Sequence, residues 1–206
     1  MISHELKCIF IHIPRTAGST IERSLVTQDW WKIDAKTKHL TASQAKKIYS
    51  EYWNDYFKFS FVRNPYSRML SMATFGLIRK IYYGDTVPFT GIITNQHVNE
   101  YKNLFGSPIL IEYDYRFYKR EEIENERHKA NSVYGNILDE PLDYIGKVET
   151  LEEDFKNICN TLGLKRNKLQ KNSRPHAHSL SLDAKLLINK LYEKDFLTYD
   201  YIKEEL

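Results

Sequence analysis

The stretch that decides the fold is KCIFIHIPRTAGSTIERSL, which runs from Lys7 to Leu25. It opens with an apolar run, Cys8 to Ile11, of the kind that a buried parallel strand shows. Gly18 follows a short polar loop and predicts the start of a helix. The apolar residues Ile21 and Leu25 lie four positions apart and therefore share one face of that helix. The stretch predicts a strand, a loop and a helix in succession.

The loop between this strand and this helix is predicted to bind an anion. Backbone N–H groups and the helix dipole converge on one point at a helix N-terminus. Arg15 adds a positive charge, and Thr16, Ser19 and Thr20 add hydroxyl donors. We interpret the loop as a cradle for a phosphate or sulfate group; a strand–loop–helix turn without a ligand is the alternative. It is not a Walker A loop, because that motif needs Gly where Ile13 stands and Lys where Ser19 stands.

A second stretch carries the same kind of pattern. Phe57 to Val62 is predicted to form a strand, and Arg63 stands where the strand becomes a loop, with a guanidinium suited to a phosphate. Asn64 and Pro65 suit the N-cap and the first position of the next helix. Arg63 and Ser71 are therefore candidates to hold one anion from two elements. A surface ion-pairing arginine and a solvated serine are the alternative.

Composition places the chain among globular proteins. Its 206 residues suffice for one domain, and the net charge of +3 does not indicate a nucleic-acid partner. Cys8 and Cys159 give neither a zinc pattern nor a disulfide framework, so we expect buried, inert thiols in a reducing compartment. No apolar stretch approaches the ~20 residues of a membrane span. These features predict a soluble, cytoplasmic protein without a transmembrane segment.

Further elements alternate along the chain. Strands are predicted at Pro108–Tyr113 and Tyr144–Val148, and capping boxes at Thr41 and Thr150. This alternation favours a three-layer α/β/α fold with a central parallel sheet, in which ligands bind beyond the carboxyl ends of the strands. The predicted helices that follow the first one run from Thr41 to about Glu51, from Tyr66 to about Ile81, from Lys119 to Ala130, from Thr150 to Gly163 and from Ser181 to about Lys194.

The two loops together resemble those of carbohydrate sulfotransferases that use 3′-phosphoadenosine 5′-phosphosulfate (PAPS), in particular the chondroitin- and heparan-modifying group. HIPRTAGST, His12 to Thr20, is similar to the family's 5′-phosphosulfate loop. FVRNPYSRMLS, Phe61 to Ser71, is similar to its 3′-phosphate motif. IGKVETLEEDF, Ile145 to Phe155, and YEKDFLTYDY, Tyr192 to Tyr201, also match stretches typical of the family. The resemblance covers most of the chain outside Gly84–Arg127.

The resemblance implies a P-loop-NTPase-like sulfotransferase fold, a single domain over residues 1–206, PAPS as the sulfuryl donor and no metal. It implies a glycan or glycolipid acceptor with a hydroxyl group. One departure is Arg15, where the family usually has a Lys that stabilises the leaving phosphate; Arg keeps the charge but not the geometry. The residues that the resemblance implies in donor binding are Arg15, Thr16, Ala17, Gly18, Ser19, Thr20, Arg63 and Ser71.

The resemblance also implies a histidine base before the second strand, and His39 lies in that interval. His97 is the reserve candidate, and His12 is expected to shape the loop. A basic segment over 165–179 is interpreted as a surface loop or as a contact to the nucleotide or to an anionic acceptor. Eukaryotic relatives begin with a membrane anchor, so we expect a bacterial-type cytosolic enzyme or an anchor-free catalytic domain.

Two other functions stay open at this point. One is a P-loop-type nucleotide kinase that uses ATP and magnesium, although neither a Walker Lys nor an acidic magnesium ligand is clear in the sequence. The other is a non-catalytic protein that binds a nucleotide or a glycan, which the Arg at position 15 makes conceivable. The sequence predicts neither the oligomeric state nor the identity of the acceptor.

Overall fold

The computed structural model describes residues 1–25, 38–71, 131–165, 168–169, 180 and 182–206. These residues form four strands and seven helices, so the fold is mixed α/β as predicted. The predictions for the strand Pro108–Tyr113, for the helix Lys119–Ala130, for His97 and for most of segment 165–179 lie outside the described residues. The chain divides into two compact units, Met1–Arg63 with Ile137–Arg174, and Asn64–Asn136 with Pro175–Leu206. The single domain therefore stays a prediction.

The first unit contains the sheet. Its strands are β1 (Ile2–Ser3), β2 (Cys8–Ile11), β3 (Phe57–Val62) and β4 (Tyr144–Lys147), in that spatial order. The pairs β2–β3 and β3–β4 are parallel, and β1 runs antiparallel to β2. The sheet is thus mostly parallel. The predicted strands at Cys8 and Phe57 are confirmed, and because they are direct neighbours, their carboxyl ends open at the same edge.

The core of this unit lies between the sheet and two helices. They are α1 (Gly18–Leu25) and α5 (Leu151–Thr161), and each places apolar side chains on the strands. Complete burial of a Phe or Ile side chain contributes about 1.5–3 kcal/mol to stability. Both predicted inert thiols are buried in this core, and burial raises the pKa of Cys8 to about 12. The buried members are Met1, Cys8, Phe10, Ile21, Phe59, Phe61, Phe155, Ile158 and Cys159.

Local hydrogen bonds define the helix ends. Helix α2 (Ala42–Ile48) begins at the predicted capping box, where Gln44 N donates to Thr41 Oγ1 at 3.2 Å and Thr41 N donates to Gln44 Oε1 at 3.0 Å. Helix α3 covers 65–71 and starts as predicted, because Asn64 Oδ1 accepts from the backbone of Tyr66 and Ser67. Residues beyond 71 of its predicted length lie outside the described part of the chain.

The capping box predicted at Thr150 is wrong. The Thr150 hydroxyl donates to Asp154 Oδ2 at 2.6 Å, and its side chain makes no cap hydrogen bond to the backbone. Asp154 also accepts from Lys147 N at 2.8 Å and from the Tyr144 hydroxyl at 2.6 Å, so it ties α5 to the end of β4. The other end of α5 is as predicted, since Gly163 has a φ of 68° and closes a Schellman motif.

The second unit is helical where it is described. It contains α3, most of α4 (Val133–Ile137), α6 (Leu182–Leu191) and α7 (Glu193–Thr198). The helix predicted from Ser181 to about Lys194 is confirmed over Leu182–Leu191, but it is not the last one: α7 follows it after an interruption at Tyr192. Its ring is buried, and its hydroxyl accepts from Arg68 Nη1 at 2.5 Å.

Asp195 then joins the last helix to α4 within this unit. It is buried and accepts from Ser132 Oγ at 2.7 Å, Val133 N at 2.6 Å and Tyr134 N at 3.0 Å. Its carboxylate therefore accepts from N–H groups in the first turn of α4, which have no acceptor within that helix.

None of the helices within the described ranges has the length and apolar character that a membrane crossing demands.

Candidate active site

The loop after β2 has an unusual backbone. Arg15 and Ala17 have positive φ angles of 66° and 63°, while Thr16 between them does not. Left-handed residues other than glycine are energetically unfavourable, so such strain points to a functional site. Alternation of left- and right-handed residues turns successive N–H groups to one side and forms an anion-binding concavity. The loop leads directly into the N-terminus of α1, where Thr20 N donates to the carbonyl of Ala17 at 2.9 Å; the earlier N–H groups, at Gly18 and Ser19, are those that the helix itself does not pair.

The side chains of this loop take different positions. Arg15, Ala17 and Ser19 are half-buried, whereas Thr16 and Thr20 are buried. The Thr16 hydroxyl donates to the carbonyl of Ile13 at 2.9 Å, so its proton holds the loop together. Arg15 and Ser19 are therefore the loop side chains with the better access to a ligand, and Thr16 can contribute through its backbone.

Gly18 is required by a close neighbour. A Cβ atom placed on Gly18 would lie 2.0 Å from His12 Nε2 and 2.2 Å from His12 Cδ2. The His12 ring thus fills the space beneath the start of α1. This position agrees with the expectation that His12 shapes the loop.

Beneath the loop, His12 is paired with a carboxylate that the sequence reasoning missed. His12 Nδ1 lies 2.5 Å from Glu22 Oε1, and both side chains are buried. Loss of solvation lowers the pKa of His12 well below its ordinary value, and the charges of Lys38 and Arg15 act in the same direction. The spacing contained a signal for this burial. Glu22 lies four residues after Gly18 and next to Ile21, so a helix that starts at Gly18 turns Glu22 toward its buried face.

His39 lies beside this pair. Its Nδ1 is 3.0 Å from the carbonyl oxygen of His12, and the two imidazole rings meet edge to face with centroids 4.7 Å apart. Because a carbonyl only accepts, His39 Nδ1 carries the proton, and in the neutral ring the lone pair is on Nε2. Burial lowers the pKa of His39 well below its ordinary value, so the neutral ring prevails at pH 7.

Arg63 joins the second predicted loop to the first. It follows β3, is half-buried, and its Nη1 donates to the carbonyl of Arg15 over 3.4 Å. The bond is long and therefore weak, but it places the Arg63 guanidinium at the loop after β2. The first unit thus places Arg63 at the main chain of Arg15 and His39 at the main chain of His12, both in the segment that follows β2.

Ser71 belongs to the second unit. It is buried at the last described position of α3. One turn earlier on the same helix, Arg68 is fully buried and lies over the Tyr134 ring at 5.5 Å. Its bond to Tyr192 and this stacking contact fix α3 within the second unit.

Among the residues that the structure describes, no group of three or more His, Cys, Asp or Glu could hold a metal ion.

Comparisons with known proteins complete the description. Searches of curated proteins and of solved structures gave no match. The model of the sulfotransferase family matches residues 1–202.

Proposed function

This chain belongs to the sulfotransferase family, and from that premise we propose that it moves a sulfuryl group from PAPS to a carbohydrate hydroxyl. Sulfuryl transfer follows from the family and weighs against the kinase alternative. The donor, the acceptor and the residue roles are our proposal, as is a three-layer arrangement around the sheet. The observation that carries the proposal is the contact of the Arg63 guanidinium with the Arg15 carbonyl, which joins the two predicted anion loops.

The two loops offer hydrogen-bond donors and positive charge that suit a molecule with a phosphate at each end. We assign the 5′-phosphosulfate to the loop Arg15–Thr20, where left-handed backbone and a helix N-terminus favour an anion. Arg63 is assigned to the 3′-phosphate, since its planar guanidinium can bind two phosphate oxygens. Ser71 is assigned to the same phosphate on the strength of its motif. A 3′-phosphate is what distinguishes PAPS from ATP.

PAPS supplies an activated sulfuryl group on a phosphate leaving group. Arg15 stands at the centre of the loop and is assigned to offset the negative charge that develops on this phosphate. The same charge can be met by backbone N–H groups at Ala17 and Gly18. Electrostatic stabilisation of this kind needs no reorganisation at the moment of reaction, because the loop conformation is fixed by folding.

His39 is assigned as the general base. An acceptor hydroxyl must lose its proton as its oxygen attacks sulfur, and a neutral imidazole with its lone pair on Nε2 can take that proton. The hydrogen bond from Nδ1 to the His12 carbonyl supports this role, because it fixes the tautomer and the orientation of the ring. The low pKa keeps the ring in its basic form at neutral pH.

The first test is ligand-dependent stability. Adenosine 3′,5′-bisphosphate at 100 times its dissociation constant should add about 2.7 kcal/mol to the free energy of unfolding. For a chain of this length that corresponds to a rise in Tm of about 5–10 °C. Adenosine 5′-monophosphate, which lacks the 3′-phosphate, is the matched ligand control and should give a much smaller rise.

The second test is transfer itself. Sulfate should pass from radiolabelled PAPS to members of a panel of glycans and glycolipids. Equal stabilisation by both nucleotides would contradict the assignment of Arg63. Bisphosphate binding without transfer to any carbohydrate, but with transfer to another hydroxyl compound, would contradict the acceptor class alone.

A further inference from the structure

Glu22 is a fully buried carboxylate that none of the assigned steps uses. It lies on the second turn of α1, the helix that begins at the donor loop, and its exposed fraction is 0%. Burial of a carboxylate is unfavourable unless it is hydrogen-bonded. Its Oε1 lies 2.5 Å from His12 Nδ1. A negative charge close to an anion site would weaken the binding of the anion, so we asked what Glu22 contributes at this position.

His12 contacts Glu22, the start of α1 and His39, and so lies between Glu22 and the two other groups. Its Nδ1 meets Glu22, its Nε2 edge lies against Gly18 at the start of α1, and its main-chain carbonyl accepts from His39 Nδ1. The Phe10 ring stacks on it from β2 with centroids 5.5 Å apart. The ring is therefore held by packing on one face and by the bond to Glu22 at one edge.

We infer that Glu22 is a positioning residue that acts through His12 on both the donor loop and His39. The carboxylate holds the His12 ring against Gly18, which fixes where α1 begins. The same bond holds the residue whose carbonyl orients His39. One buried carboxylate thus aligns the group that binds the leaving phosphate with the group that takes the proton. The assignment to donor and base rests on the function proposed above.

The experiment compares three substitutions at one position. Glu22→Gln keeps an oxygen that can accept from His12 Nδ1, so it should retain most of the activity. Glu22→Asp keeps the charge but withdraws the acceptor by one methylene, and Glu22→Ala removes it. For the last two, kcat should fall roughly a hundred-fold, as expected for a misplacement of about 1 Å, and KM for PAPS should rise. KM for the acceptor should stay unchanged.

A matched control separates positioning from stability. Asp195→Asn alters another buried carboxylate, in the second unit, that caps a helix. It should lower Tm without changing kcat or KM of the folded enzyme. If Glu22→Ala does not fold, Glu22→Asp carries the comparison.

A spectroscopic measurement is independent of catalysis. The ¹⁵N resonances of the His12 and His39 rings should both shift in Glu22→Asp and stay near wild type in Glu22→Gln. An unmoved His39 signal in Glu22→Asp, or a Gln variant as impaired as the Ala variant, would overturn the inference. If the wild type neither binds the bisphosphate nor transfers sulfate while both resonances shift, the proposed function fails and the coupling of Glu22 to His39 stands.

Discussion

Replacement of Gly18 by alanine tests the architecture of the loop most directly. The new Cβ would lie 2.0 Å from His12 Nε2 and 2.5 Å from His12 Cε1. An ordinary contact between such atoms is about 3.5 Å, so either the ring or the start of α1 must move by about 1.5 Å. The ring cannot turn away at low cost, because Glu22 binds one edge and Phe10 stacks on one face.

The expected cost follows from two opposing terms. Overpacking of a tight core site destabilises a protein by about 1–3 kcal/mol. Alanine is better than glycine in a helix by at most about 1 kcal/mol, and less at its first residue. We expect Gly18→Ala to lower the free energy of unfolding by about 2 kcal/mol, which corresponds to a fall in Tm of about 4–8 °C for a chain of this size. Binding of adenosine 3′,5′-bisphosphate should weaken as well.

The measurement is thermal unfolding with and without the bisphosphate. Gly163→Ala is the matched control, because Gly163 has a φ of 68° and no atom within 4 Å of an added Cβ. It should lose stability through backbone strain alone and keep the full rise in Tm with ligand. The double variant Gly18→Ala with His12→Ala should be more stable than the sum of its single effects, since the ring that clashes is gone.

The reasoning would be refuted by a Gly18→Ala protein that unfolds at the wild-type temperature and binds the bisphosphate as well as the wild type. Additive effects in the double variant would also refute it. Either result would mean that the His12 ring does not lie beneath the start of α1.

Three other predictions follow from the same geometry. His39→Ala should keep bisphosphate binding and lose turnover. In the wild type, kcat should stay constant as the pH falls below 6.5 and should decrease only when the pH reaches the lowered pKa of His39. The free energy of unfolding, measured by denaturant titration, should already decrease below pH 6.5, because the unfolded chain takes up the proton first. Arg63→Ala should abolish the preference for adenosine 3′,5′-bisphosphate over the 5′-monophosphate in the thermal-shift assay, whereas Arg63→Lys should restore part of it, and an unchanged preference would remove Arg63 from the site. Asp195→Asn keeps one carbonyl oxygen but replaces the other with an amide donor that faces backbone N–H groups. It should lower the free energy of unfolding by about 1–3 kcal/mol in denaturant titrations, and a loss below about 0.5 kcal/mol would argue against the cap.

Some elements could be predicted from the sequence because their signals are local. The strand at Phe57–Val62 depends on phenylalanines at alternate positions, and the helix that begins after Asn64 depends on a capping side chain and a proline, all close together in the chain. The Thr41 capping box depends on two residues three apart. The Thr150 box has the same pattern, with Glu153 in place of Gln, and fails: the φ and ψ of Thr150 are −114° and 29° rather than extended, and its hydroxyl is turned to Asp154. A two-residue pattern does not include that third partner.

The site could be predicted only in part, for a similar reason. Motifs named Arg15 and Arg63, but their proximity depended on whether β2 and β3 are neighbours, which the sequence left open. The pair of His12 and Glu22 spans ten positions, and the side chains meet only because the loop folds back beneath α1. Contacts of this kind are set by tertiary packing, which local periodicity does not encode.

The acceptor for His39 Nδ1 is a peptide oxygen, and every amino acid at position 12 supplies one. No single codon change can delete it; a substitution can only displace it. For the base role that we propose for His39, substitutions at position 12 should therefore change proton transfer gradually rather than abolish it. The nitrogen of His39 that carries the proton is in this sense specified by the path of the polypeptide, not by the identity of any neighbour.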